Sequence, residues 1–328
     1  MNPPPKVSVA IPVYNEEENL AELLARLRQV IDGLPGGPHQ ILFADDGSTD
    51  RSLSILEGEA AKDPRIGVLS LSRNFGHQAA LTAALDHVTG DVVVVMDGDL
   101  QDTPEAIPRF LAAHAEGFDA VYAVRVRRKE ALWLRASYAL FYRLAAALSD
   151  LELPVGAGDF GLMSRRVVEE LRRAPEHHRY LRGLRSWVGF RQTGIEIERQ
   201  VRGAGTSKYG LGALFRLAFD GIFAFSVVPI RVAMGMGLAA LVVSGLFGAY
   251  ALFAKAFLDR SPQGFTALVL VVVFMSGVQL LFLGVLGEYI GRIYAEVKGR
   301  PVYVVSKRVG SVAAASAPAP SAPARGPI

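Results

Sequence analysis

Two carboxylates one residue apart, Asp97 and Asp99, lie in the run VVVVMDGDLQD at residues 92–102. If the chain stays extended there, alternate side chains share a face, so the two acids meet at one point and Gln101 comes next on the same side. Two carboxylates and an amide oxygen suit a hard divalent cation, Mg2+ or Mn2+, above all one shared with substrate phosphates. An isolated Asp-x-Asp is common by chance, and Asp-Gly is also hairpin chemistry. The next residues, LQDTPEAIPRF, instead let Asp102 or Thr103 cap a helix that opens on proline. A second apolar run, FADDGSTD at residues 43–50, also carries paired acids at its end. Turn and cap chemistry accounts for Ser48, Thr49 and Asp50. It accounts less well for Asp45 and Asp46, whose adjacent like charges ask for a donor-rich ligand.

Such residues need a scaffold that brings them to one place. The strand-like runs KVSVAIP, HQILFAD, IGVLSL, VVVVM and DAVYAV alternate with the helical stretches EEENLAELLARLRQVI, TDRSLSILEGEAAK and HQAALTAALDHV. In the first helix Asn15 is expected as N-cap, with Glu16, Glu17 and Glu18 in the first turn and Leu20, Leu23, Leu24, Leu27, Val30 and Ile31 at helical spacing. Near-continuous apolar strands between helices predict an α/β fold with a parallel sheet covered on both faces. Ligands of such a sheet bind beyond the carboxyl ends of its strands, where both acidic runs end. Further helices are expected at residues 132–150 and 164–174.

The chain of 328 residues has no cysteine, which excludes disulfides, thiolate metal sites and thiol catalysis. A net charge of +3 is too small a surplus to argue for nucleic acid. A mean hydropathy of +0.27 is high for a purely soluble enzyme and points to a membrane part. Residues 232–254 and 265–287 are uncharged runs long enough to span a bilayer. Arg216 and Arg231 precede the first run, and Arg292, Lys298, Arg300, Lys307 and Arg308 come after the second. The positive-inside rule therefore predicts an integral protein of the inner (cytoplasmic) membrane with two spans, both termini and the catalytic domain in the cytoplasm. The N-terminal residues carry no signal-peptide pattern, which agrees. The expected organisation is a catalytic domain at 1–209, an amphipathic juxtamembrane segment at 210–231, two membrane helices within 232–287, a cytoplasmic segment at 288–309 and a disordered Ala/Pro/Ser tail at 310–328.

With IPVYNEEENL at the end of the first strand the pattern becomes specific. Together with FADDGSTD, SRNFGHQAAL, MDGDLQDTPEAIP, YAVRVRRKE, GDFGLMSRRVV, RSWVGF and GTSKYGLGAL, it resembles the family 2 glycosyltransferases. The motif order is that of the polyprenyl-phosphate group, which includes dolichyl-phosphate mannose synthase and bacterial undecaprenyl-phosphate glucosyltransferases. The resemblance implies a GT-A, Rossmann-like fold, a nucleotide-sugar donor, a polyprenyl phosphate acceptor, a Mg2+ or Mn2+ cofactor and inversion at the anomeric carbon. By position, Pro12, Tyr14 and Glu16 would line the nucleotide pocket, Asp46 would accept from the base with Asp45 beside it, and Gly76 falls on the donor side. Asp97, Asp99 and Gln101 would hold the metal against the donor diphosphate. Arg125, Arg135 and the loop lysine Lys208 are the candidates for the acceptor phosphate. Asp159 would lie near the acceptor, orienting it or pairing with an arginine, and Gly161 stands where many members carry arginine. UDP-glucose is the first choice of donor, and a homo-oligomer is a further expectation of the resemblance.

Other patterns carry less. GAGDFG satisfies a dinucleotide-binding spacing but opens no βαβ unit. The six histidines lack metal-ligand spacing and read as solvated or capping; Trp133 and Trp187 read as packing or interfacial anchors. A processive polysaccharide synthase would need a Gln-x-x-Arg-Trp motif, from which RGLRSW departs, and a non-catalytic scaffold would have little use for clustered acids at 46, 97 and 99.

Overall fold

The computed structural model describes residues 3–125, 157–174, 176–177, 179–197, 228–258 and 264–313. Arg135, Lys208, the helix expected at 132–150 and the juxtamembrane segment up to residue 227 lie outside the described residues. The chain divides into two units, one of residues 1–146, 151–214 and 301–328, the other of residues 147–150 and 215–300.

The first unit is built on strands whose every residue is buried: β1 (Val7–Val13), β2 (Gln40–Asp45), β3 (Ile66–Leu71) and β4 (Val92–Val95). Burial on both faces is what their unbroken apolar runs require, and the four lie parallel, with β1 between β2 and β4. Helices α1 (Leu20–Asp32), α2 (Ser52–Lys62), α3 (His77–His87) and α4 (Ile107–Ala115) connect or flank them. Strands β5 (Ala120–Arg125), β6 (Ala157–Ser164) and β7 (Gln192–Ile197) continue the sheet, with helices α5 (Arg165–Arg173) and α6 (Leu181–Trp187) between the last two.

The sheet has eight strands in the order β7-β5-β6-β4-β1-β2-β3-β8, and it is mixed rather than parallel throughout. Strand β6 runs antiparallel between β4 and β5, and β8 (Val305–Gly310) runs antiparallel along β3. A strand returning from a long connection can enter a sheet in either direction, because only a connection too short to cross over forces a direction, and that direction is antiparallel. Leu23, Leu27 and Ile31 of α1 are at most 1% exposed. Each contributes about 2 kcal/mol of burial to the core. Phe110 of α4 meets Phe160 of β6 edge to face with centroids 5.0 Å apart.

Helix α1 begins at Leu20, later than its sequence pattern implies. Asn15 is no N-cap: it takes a left-handed φ of 54° and its Oδ1 accepts from the Thr49 N–H at 2.8 Å. Asn19 stands at the cap position, and its side-chain amide donates to Glu16 Oε2 at 2.6 Å. Residues 14–17 thus join the first two strand ends, and a single turn closed by the Asn19 and Leu20 N–H groups on Glu16 O leads into the helix.

Strand β8 has no counterpart among the strands expected from the sequence. It pairs Arg308 with Leu69 and Val309 with Val68. Tyr303 donates its hydroxyl to Asp86 at 2.8 Å, and the Lys307 ammonium meets Glu57 at 2.7 Å. The second unit holds two helices, α7 (Val228–Leu258) and α8 (Phe265–Val297). Both are long and apolar enough to cross a membrane; the windows Val232–Tyr250 and Phe274–Val297 have mean hydropathies of 2.0 and 1.4. Pro229 falls in the first turn of α7, where a missing N–H costs no helical hydrogen bond.

Candidate active site

The register of the sheet gathers the acidic runs. Val13 of β1 pairs with Asp45 of β2, the Asp46 N–H donates to Val13 O at 2.8 Å, and the Met96 N–H donates to Ala10 O at 3.2 Å. The ends of β1, β2 and β4 therefore lie side by side, carrying Pro12 to Glu16, Asp45 and Asp46, and Asp97 to Asp102. A Cβ added to Gly98 would sit 3.4 Å from Pro12 O, so the Asp-Gly-Asp turn packs onto the end of β1.

The first two ends are laced together. Asn15 and Glu16 donate their N–H groups to the hydroxyls of Ser48 and Ser52 at 3.0 and 2.9 Å, and Glu17 N–H donates to Asp50 at 3.2 Å. Asp50 also accepts from Ser52 N–H at 2.9 Å, which satisfies the first amide of α2 from one residue before the N-cap position, Arg51. Burial would raise its carboxyl, but these donors outweigh it and hold Asp50 below the ordinary range. Pro12 is buried, while Tyr14 is 38% exposed beside it.

Asp45 and Asp46 are 0% and 3% exposed. Asp45 accepts from the Ser48 N–H at 3.3 Å; burial raises its carboxyl, and Ser48 opposes the shift. Asp46 accepts from two backbone donors, Phe75 N–H at 2.7 Å and Gly76 N–H at 2.9 Å. Burial still leaves its carboxyl above the ordinary range. The loop at 73–76 lies so close that a Cβ on Gly47, at φ 69°, would stand 2.6 Å from the Arg73 carbonyl carbon. Each Asp46 oxygen keeps a second lone pair for a ligand donor.

From Gly76 the chain enters α3, and the His77 Nε2 lies 3.0 Å from Asp97 Oδ1. Histidine spacing alone places His77 among the solvated or capping residues; its only signal is its position directly after Gly76, at a helix start. The Asp-Gly-Asp segment does not stay extended. Leu100 adopts a left-handed φ of 60°, Gln101 N–H turns back to Asp99 Oδ1 at 3.2 Å, and Asp97 N–H donates to Asp102 at 3.0 Å. A coiled turn, not strand alternation, keeps Asp97 and Asp99 close, and Gln101 reaches Asp99 through its backbone N–H.

Burial pushes the Asp97 carboxyl up; His77 and Arg182 oppose that shift, and the charges of Asp159 and Asp99 reinforce it. Excess negative charge of this kind, on hard oxygen donors, fits a divalent cation. Among the described residues no three His, Asp or Glu side chains form a metal-holding group. Asp97 and Asp99 would thus hold a cation jointly with substrate phosphates or water.

Asp159 is on β6, where Gly161 pairs with Val95, so the same register carried on brings Asp159 alongside Asp97. Arg182 of α6 grips it with two parallel bonds, Nε to Oδ1 and Nη2 to Oδ2, both 2.7 Å. Burial would raise Asp159, but the Arg182 fork overrides it, with His77 and Arg185 adding to the effect, and its carboxyl lies below the ordinary range. Gly161 has no room for the arginine that many family members carry there: a Cβ would lie 2.3 Å from Val121 O. The cation on Asp159 comes from α6 instead, a partner that no motif spacing announces. Arg125 is the last residue of β5, in register with Ile197 of β7.

Residues 8–172 match the model of glycosyl transferase family 2, half of the chain. The chain belongs to this family. Its sheet, with the acidic run at the end of β4 and the antiparallel strand beside it, is the GT-A fold of family 2 enzymes. The Bacillus subtilis protein YkcC, an uncharacterized glycosyltransferase, is 43% identical over 304 residues, 92% of this chain and 94% of that one. A bactoprenol glucosyl transferase of Shigella phage SfX is 39% identical over 311 residues, 92% of this chain and 99% of that one. A prophage bactoprenol glucosyl transferase homolog of Escherichia coli K12 is 37% identical over 310 residues, 92% of this chain and 99% of that one.

Proposed function

We propose that this family 2 glycosyltransferase moves a hexosyl group from a nucleotide sugar, UDP-glucose first, to the phosphate of a polyprenyl phosphate, inverting the anomeric carbon. The observation that carries the reading is the contrast within one cleft. Burial and the neighbouring charges of Asp159 and Asp99 push the Asp97 carboxyl up, against the pull of His77 and Arg182, while Asp159 beside it is held by the Arg182 fork. The names of the phage and prophage relatives support bactoprenol as the acceptor. Helices α7 and α8 support a membrane location, with two spans and both termini on the cytoplasmic side.

The acceptor phosphate oxygen forms the new bond to the anomeric carbon as the bond to the nucleoside diphosphate breaks, and the electron pair leaves with the diphosphate. A phosphate is already anionic near neutral pH, so no strong general base is needed, and the main tasks are positioning and charge management. Asp159, held ionised by Arg182, suits a role in orienting the acceptor and not in taking a proton. Asp46 and Asp45 face the donor's nucleoside end, with Pro12, Tyr14 and Glu16 on the adjoining strand end and Gly76 closing the loop over them. A Mg2+ or Mn2+ ion at Asp97 and Asp99, with Gln101 adjacent, would act as Lewis acid for the departing diphosphate. Arg125, Arg135 and Lys208 remain the proposed contacts of the acceptor phosphate.

The test is transfer from a panel of radiolabelled nucleotide sugars to undecaprenyl phosphate in detergent, with Mg2+, with Mn2+ and with chelator, alongside Asp99→Ala. One donor giving a lipid-linked monosaccharide that needs both metal and Asp99 is the expected result. No product from any donor, with nucleotide binding retained, would overturn the reading in favour of a non-catalytic scaffold.

A further inference from the structure

The family 2 site leaves one charged group unused. Arg185, one helical turn beyond Arg182 on α6, is 5% exposed, yet no carboxylate among the described residues pairs with it. Its guanidinium lies 4.8 Å from the Tyr122 ring centre, and its Nη1 donates to Gly158 O at a long 3.5 Å. Its Nε has no partner among the described residues. A buried cation with spare donors is costly, and structures that keep one usually supply an anion. Burial accordingly lowers Arg185 from its ordinary value, and Asp159 is the strongest charge acting against that shift. Asp159, however, has both oxygens engaged by Arg182.

Two arginines, one buried and one half-buried, therefore share one carboxylate. Asp97 supplies further negative charge to Arg182, but a cation bound at Asp97 and Asp99 would draw that charge away. Among the described residues the cluster is then one anion short, in a place open enough to leave 29% of the Arg182 side chain exposed. The missing anion must be one that a planar, multiply donating pair can grip, which is the geometry of a phosphate.

We propose that Arg182 and Arg185 together receive one phosphate group of a substrate, with Asp159 holding that place on Arg182 until the phosphate arrives. As Arg182 turns toward the phosphate, the two guanidiniums between them balance both the phosphate and Asp159, so no carboxylate is left without a counter-ion. Two phosphates enter this cleft under the proposed function, the lipid phosphate of the acceptor and the diphosphate of the donor, and the chemistry of the pair is the same for both.

The assay is binding without turnover, on the full chain in detergent, by calorimetry in the presence of Mn2+. The probes are farnesyl phosphate, with farnesol as the uncharged control, and UDP. Arg185→Gln is expected to weaken one of the two phosphates at least about tenfold and the other by less than about twofold. The probe that suffers identifies the source. Loss of neither, or equal loss of both, would overturn the proposal. If Arg185→Gln does not fold, Arg185→Lys keeps the charge but not the fork, and the same selective loss is expected. Asp159→Asn supplies a readout that a purely structural role would not give: freeing Arg182 should tighten the same phosphate, and weakened binding would count against the place-holding role. Because these are binding measurements, a wild-type protein that binds phosphate selectively but transfers no sugar would refute the proposed function and leave this inference standing.

Discussion

The acids at the head of β1, β2 and β4 and the acid on β6 are all largely withdrawn from solvent but held by different means. Asp45 and Asp46 accept from backbone N–H groups, and their carboxyls stay above the ordinary range. Asp159 accepts from a guanidinium, and its carboxyl falls below it. A backbone donor offers a hydrogen bond without a counter-charge, so burial still dominates; an arginine offers both. The difference separates acids that await a cation or a donor-rich ligand from one whose charge the chain has already balanced. Asp97 belongs to the first kind, although His77 and Arg182 moderate it.

The largest test of that division is Asp97→Ala. Removing an acid that awaits a cation should cost transfer on the order of a thousandfold, about 4 kcal/mol, while thermal stability without ligand holds or improves. A comparable loss of stability would mean that Asp97 is balanced internally. Asp159→Ala should do the opposite to the metal-free fold. It strands the Arg182 guanidinium beside Arg185, so chemical denaturation should show a loss of about 3 kcal/mol. Asp63, outside the cleft, extends the arginine-held class: Arg65 first, then Arg28, hold its carboxyl at about 2. Asp63→Asn should cost about 2 kcal/mol at neutral pH. Because the folded value lies below the unfolded one, that cost should be full above the ordinary carboxylate range and vanish as pH falls toward 2.

The smallest effect has the reverse sign. For Asp45, Asp46 and Asp97 the folded value lies above the unfolded one, so their ionisation penalty is fully present at neutral pH and is relieved as pH falls through the folded value. Mild acidification should therefore stabilise the metal-free protein slightly through these groups. Asp97→Asn should flatten part of that rise in a pH series of denaturation midpoints. Bound Mn2+ should be released over the same window, since protons and metal compete for the carboxylates.

Much of this division is legible in the sequence, though only one side of it. The acids at 45, 46, 97 and 99 announce themselves because each pair is local and ends an apolar strand. Their position at adjacent strand ends follows from the alternation of strand and helix. Arg182 and Arg185 fall in RGLRSW, but nothing there ties them to Asp159, which is over twenty residues away on a different element and is reached by Arg182 only through tertiary packing. His77 is hidden for the same reason, its contact with Asp97 depending on where α3 starts. The late start of α1 is hard to foresee because Glu16 to Glu18 suit a first helical turn, while the actual use of Asn15 and Glu16 is to tie two loops. Strand β8 escapes notice because SKRVG lacks an apolar run, as edge strands do, and its partner lies far back in the chain.

Strand β8 also sets the order in which the protein can be finished. Residues 228–297 are spliced into the sheet-forming chain, not appended to it, because the strand that covers β3 is made after them. Roughly 230 residues separate the end of β3 from the start of β8, which at ordinary rates of synthesis is about 10 to 50 seconds. Throughout that time the β3 edge is an unpaired row of N–H and C=O groups, open to any passing strand. The catalytic sheet therefore becomes closed on that side only once both long helices have left the ribosome, and a chain that stops short of residue 305 keeps the open edge for good.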